Sequence, residues 1–252
     1  MKFVSTMTIA GAMIAPLAAV AAPPVPAGAK NIVIVHGSFA DGSGWRVVHD
    51  ILYHKGYKVT VVHQSHETLD ADIAATREIL DQQFGPVVLV GHSSGGAVIS
   101  HAGTRGKVKA LVYVAALQPD IGESLSQLVG SMPAANNDVQ ATRDGHLFLK
   151  PSKFHDDFAA DLPENRTNFM AISQVPSTTA SFGAQGWAAA WRDKPSYAIV
   201  ATEDHALNPD LQRWMYKRAG SKVTEIKASH AVYISQPEAV AKVIEQAALD
   251  VK

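Results

Sequence analysis

Two hydrophobic rhythms alternate along the chain. Residues 31–35 form a continuous β-branched run of the kind that buried parallel strands show. Further strands are read at 58–62, 86–90, 108–115, 197–201 and 222–226. Between them the apolar spacing lengthens to a helical period at 45–54, 70–83, 95–104, 209–219 and 237–249, with Ile73, Ile79, Leu80 and Phe84 on one side of the second of these. Strands that alternate with helices imply βαβ units. The expected fold is α/β, a mostly parallel sheet of about six strands flanked by helices.

The rhythm stops between 117 and 194. This stretch has no convincing strand and is rich in Ala, Ser, Asn and Pro, yet it carries Leu125, Leu128, Phe148, Phe154, Phe158 and Trp191. An insertion of that length is rarely structureless in a compact domain. It reads as a small helical cap inserted after the fourth strand, over the carboxyl ends of the strands, where α/β sheets bind ligands.

Composition narrows the possibilities. Of the 252 residues 47% are hydrophobic and 18% charged, which excludes a disordered chain. Lys plus Arg (22) do not exceed Asp plus Glu (23), and no basic run gathers charge, so no nucleic-acid partner is expected. With no cysteine, thiol nucleophiles and cysteine-ligated metals are excluded. His63 and His66 lie too close to a strand end to share a helix face, so no metal is expected.

The chain's first residues read as a targeting signal. Lys2 supplies a positive start, 3–20 are apolar, and Ala19-Val20-Ala21 presents small residues for cleavage. The expectation is a signal peptide over 1–21, a Pro-rich leader over 22–30 (Pro23, Pro24, Pro26), and one domain over 31–252. Export to the periplasm or medium removes access to ATP and NAD pools. Cofactor-free chemistry is therefore expected, with no membrane span once the signal is removed.

The candidate chemistry sits in Gly91-His92-Ser93-Ser94-Gly95-Gly96, which follows the third strand and opens a helix. In that context G-x-S-x-G is a nucleophile elbow: the strand turns straight into a helix and lifts Ser93 above the sheet. The Ser94 N–H then stands at a helix N-terminus, suited to an oxyanion. A serine at neutral pH needs a base, and the base needs an orienting acid. In this sheet type they follow in the order Ser, acid, His. Asp204 follows the fifth strand, and only His205 and His230 come after it; His205 is its immediate neighbour and points elsewhere from the same turn. His230, closing the last strand, is therefore the expected base. Glu203 and Asp120 are the alternatives to Asp204 as the acid. His36-Gly37-Ser38 ends the first strand, and the Ser38 N–H is the expected second oxyanion donor.

Taken together, His36-Gly37-Ser38, the elbow at 91–96, Thr202-Glu203-Asp204-His205 and Ser229-His230-Ala231-Val232-Tyr233 resemble the small α/β-hydrolases. The branch is the one holding plant methyl-ester esterases, hydroxynitrile lyases and bacterial carboxylesterases. The resemblance covers roughly 31–248 and implies a Ser93–His230–Asp204 triad with an oxyanion hole from the Ser38 and Ser94 N–H groups. One departure is informative. The lyases of this branch carry Thr where this chain has Gly37 and Lys where it has Ala231, so a departing cyanide would find no charge partner beside His230.

The expected function is that of a secreted serine esterase acting on small-molecule esters with small to medium apolar or aryl groups. A lactonase or C–C bond hydrolase would use the same triad, and a ligand-binding sensor would keep the site with little turnover.

Overall fold

The computed structural model describes residues 27–136 and 138–251. The expected signal peptide, and the leader as far as residue 26, lie outside the described residues. The leader's end is part of the domain: Ala29 is buried, and its N–H donates to the Ala248 carbonyl at 3.0 Å.

In chain order the elements are β1 (Asn31–Val35), α1 (Arg46–His54), β2 (Lys58–Val62), α2 (Leu69–Asp81), β3 (Val87–His92), α3 (Gly95–Ala102) and β4 (Val108–Val114). The inserted segment contributes α4 (Leu125–Ser131), β5 (Val139–Ala141), β6 (His146–Leu149), α5 (Phe154–Phe158), α6 (Glu164–Ile172), β7 (Ser177–Thr178) and α7 (Thr179–Gly183). The sheet then resumes with β8 (Ser196–Ala201), α8 (Pro209–Arg218), β9 (Lys222–Ile226), α9 (Val232–Ser235) and α10 (Pro237–Leu249).

Six parallel strands form the main sheet in the order β2-β1-β3-β4-β8-β9. Side chains alternate across it, as the two-residue period of a strand requires. Ile32, Ile34, Val88, Val90, Val112 and Ile199 face Val48 and Leu52 of α1 and Val240 and Ile244 of α10. Val33, Val35, Leu89, Leu111 and Val200 face Ile73 of α2, Ile99 of α3 and Leu211 and Met215 of α8. Both faces are thus dry, which is why the central strands read as unbroken apolar runs.

The cap differs from expectation. It is not purely helical: β5, β6 and β7 form a small antiparallel sheet of their own. These strands escaped the sequence reading because β5 is exposed at all three positions and β6 buries only Leu149, so no alternation marks them.

Candidate active site

The β3–α3 turn holds Ser93 at φ +53°, in the left-handed region that L-residues avoid. Three backbone hydrogen bonds hold it there: Ser93 N–H donates to Val114 O (3.3 Å), and Ser93 O accepts from Gly96 N–H (3.1 Å) and Leu117 N–H (3.0 Å). Close approach explains the flanking glycines. A Cβ on Gly95 would stand 2.6 Å from the Val35 carbonyl oxygen, and one on Gly37 would stand 2.6 Å from Ser93 Cβ. Ser94 is the N-cap of α3, which sets its N–H at the positive end of the helix dipole.

Asp204 and His230 meet beside this turn although 26 residues separate them. His230 Nδ1–H donates to Asp204 Oδ2 at 2.7 Å, and both side chains are buried. Asp204 is held by three further donors. Gln212 Nε2 reaches Oδ2 at 2.8 Å, while the Ala206 and Leu207 N–H groups reach Oδ1 at 2.9 and 2.8 Å. With Nδ1 donating, Nε2 is the proton-accepting nitrogen of the neutral ring.

His230 is held from three sides, its ring by one contact and its backbone by the others. Phe158 packs edge-on at 4.8 Å between centroids, and its carbonyl accepts from Ala231 N–H at 3.0 Å. Asp161 accepts from Ser229 N–H at 3.1 Å. His92 Nε2–H donates to the His230 carbonyl at 3.0 Å. Burial first, and the neighbouring His230 second, hold His92 well below the ordinary histidine range. A neutral His92 adds no positive charge beside the His230 imidazole.

Ser93 and His230 open onto one cavity of about 420 Å³. Among the described residues no hydrogen bond joins Ser93 Oγ to the imidazole, a loose geometry common in sites without substrate. Phe39, Leu117, Val129, Leu149, Phe158 and Phe182 line most of the cavity. Phe39, at φ +65°, hangs its N–H on the cap's Val175 carbonyl at 3.0 Å, which ties the turn after β1 to the lid.

The oxyanion donors depart from expectation. The Ser38 N–H is already engaged, donating to Ser94 Oγ at 2.9 Å, and the two hydroxyls lie 2.9 Å apart. A hydroxyl at position 94 is small and polar enough to fold back over the turn after β1, which an apolar side chain there would not do. An oxyanion must displace Ser94 Oγ to reach this donor.

The other candidates lie elsewhere. Glu203 is exposed and pairs with Lys227 at 3.4 Å. Asp120 pairs with Arg192, whose Nε donates at 2.7 Å. His205 turns to the Asp156 carbonyl at 2.8 Å. His63 is exposed. His36 is buried beneath the first turn, with Nδ1 at 3.1 Å from the Gly37 carbonyl and 3.3 Å from His66 Nε2; burial, reinforced by His66, pushes it down to about 4. Phe158, Asp161, Gln212 and Ser94 Oγ were not among the expected site features. Phe158 and Asp161 reach the site from the cap and Gln212 from the helix directly after Asp204, and only the Ser94 hydroxyl, inside the elbow motif, offers a signal.

Fold and site geometry together define an α/β-hydrolase. The chain belongs to the alpha/beta hydrolase family, whose profile matches residues 32–243. It is 28% identical over 246 residues to a pyrethroid hydrolase of Sphingobium wenxiniae, covering 85% of this chain and 86% of that one. It is 29% identical over 247 residues to methylesterase 9 of Arabidopsis thaliana, covering 82% and 94%. Among solved structures, a pyrethroid hydrolase from Sphingobium faniae superposes with a TM-score of 0.74 at 24% identity, over 86% of this chain and 96% of that one. Polyneuridine aldehyde esterase gives a TM-score of 0.74 at 22% identity, over 86% and 98%. These superpositions show the shared fold.

Proposed function

We infer that this chain is a carboxylic ester hydrolase that works through an acyl-enzyme. The carrying observation is the 2.7 Å His230–Asp204 hydrogen bond in the wall of the cavity that Ser93 enters. Ser93 Oγ attacks the ester carbonyl carbon while His230 Nε2 takes its proton, and the carbonyl π pair moves onto oxygen. The Ser94 N–H, and the Ser38 N–H once Ser94 Oγ yields it, stabilise that oxyanion. Collapse expels the alcohol, which takes the proton from His230. Water then attacks the acyl-Ser93 ester by the same route and releases the acid.

The apolar lining supports small to medium apolar or aryl esters, and the names of the relatives, pyrethroid hydrolase and methylesterase, support ester cleavage. Ala231, beside the base, offers no cation to a cyanide leaving group. We also propose that the chain is exported, on the strength of Lys2, the apolar stretch and Ala19-Val20-Ala21. Among the described residues no helix is long and apolar enough to cross a membrane. The test is a panel of aryl, short-acyl and long-acyl esters with lactones. A stoichiometric burst of p-nitrophenol is expected, and no burst or turnover on any ester would refute the reading. Amino-terminal sequencing of protein from the periplasm or medium, with a start at Ala22 expected, tests export.

A further inference from the structure

Among the described residues the cavity wall carries one buried carboxylate that the mechanism does not use. Asp157, on α5, is buried at 2% exposure yet lines the same cavity as Ser93 and His230. Its Oδ1 accepts from Asn136 Nδ2 at 2.6 Å. Its Oδ2 is buried and has no partner among the described residues. An unpaired carboxylate oxygen inside a protein is costly, so its retention points to a donor that arrives with the ligand.

The surroundings fix the sign of that donor. Asn136 and Asp138 lie in the cavity wall with Asp157, and among the described residues no Lys or Arg does. Lys153, the cation whose charge acts on this carboxyl, is half exposed and lies 3.9 Å from Asp156. Burial, with Asp138 and Asp156 adding to it, pushes the Asp157 carboxyl up, against the pull of Asn136 and Lys153. A cation in the cavity relieves both the burial and the crowding of negative charge; an anion aggravates them.

We propose that Asp157 is a specificity-determining residue that accepts a hydrogen bond from a protonated amine on the substrate, so that the preferred esters carry an ammonium group away from the scissile bond. This rests on the ester-hydrolase reading and adds the substrate class to it. Asp157 touches neither Ser93 nor His230 by hydrogen bond, and His230 already has its carboxylate in Asp204. Asp157 therefore governs which ester binds, while the triad performs the chemistry.

The test has two arms. In the first, kcat/KM is measured for p-nitrophenyl esters of matched chain length ending in ammonium, hydroxyl, methyl or carboxylate. The expected order is ammonium, hydroxyl, methyl, carboxylate, with ammonium about tenfold or more above methyl. D157N should bring the ammonium-to-methyl ratio close to one, and D157E should retain the order. Ratios within each variant cancel any general loss of folded protein. In the second arm, calorimetry compares hexylammonium and hexanol binding to the S93A protein and to the S93A/D157N double variant. Tighter amine binding that D157N abolishes supports the site without any turnover. Absence of esterase activity would thus overturn the ester reading through the first arm, while the second arm still judges Asp157. Equal amine and alcohol binding, a ratio that D157N leaves unchanged, or a carboxylate-ended ester ranking first would overturn the inference.

Discussion

Replacing Ser94 by alanine should make the enzyme faster and less stable at once. In the resting site the Ser38 N–H donates to Ser94 Oγ at 2.9 Å, so the developing oxyanion competes with a neutral acceptor already in place. Such a bond contributes about 1 kcal/mol net in a folded protein. Since about 1.4 kcal/mol of barrier is a factor of ten, removing the competitor should raise kcat about fivefold. KM should change less, because full charge on the oxygen appears only at the tetrahedral stage. The same change strands a buried N–H and a buried Ser38 hydroxyl in the resting enzyme, which should cost about 1–3 kcal/mol of stability. Steady-state kinetics on p-nitrophenyl acetate and a thermal melt on the same preparation read both effects. A tenfold or larger fall in kcat for S94A would refute the reasoning and make the Ser94 hydroxyl a donor to the transition state.

Asp204→Asn should lower kcat by about 10⁴ through loss of the imidazole's tautomer and orientation, whereas Glu203→Gln, at an exposed ion pair, should leave steady-state rates within about twofold. Gly95→Ala forces a Cβ against the Val35 carbonyl at 2.6 Å and should cost about 1–3 kcal/mol in urea denaturation; a neutral result would contradict the tight elbow. Stability should also fall on mild acidification. His36 is held at about 4 in the folded protein against about 6.5 unfolded, so the folded state binds fewer protons between those values. Its contribution is intact above about pH 6.5, is lost as pH falls toward about 4, and totals about 3 kcal/mol. His36→Gln should flatten that part of a urea-midpoint profile, and an unchanged slope would exclude His36 as its source.

How far the sequence speaks depends on the range of the interaction. β1, β2, β9 and α10 have the bounds read from the chain's pattern, but for different reasons: β1 is buried along its whole length, whereas β2 and β9 are sheet edges with little burial that β-branched residues mark, and α10 carries a helical apolar stripe. Ser93, Asp204 and His230 were legible because each follows a strand of the same sheet, at ends that the topology brings together. The choice of Asp204 over Glu203 was open in the sequence, since the two are adjacent. The chain turns Asp204 inward onto its own N–H groups at 206 and 207 and leaves Glu203 outside with Lys227. Of the cap strands, β5 and β6 carry little burial and so little pattern, and β7 is only two buried hydroxyl residues, Ser177 and Thr178. Phe158 meets His230 from 72 residues away in the cap, and Gln212 meets Asp204 from the next helix, eight residues on; no local signal marks either.

The central claim is that Ser93 is the nucleophile of a serine hydrolase, and covalent labelling tests it most directly. Intact mass spectrometry after treatment with a fluorophosphonate should show one adduct per chain, mapped to the peptide containing Ser93 and absent from S93A. The same variant should lose at least about 10⁴ in kcat. Full labelling of S93A, or an adduct mapped to another residue, would contradict the account.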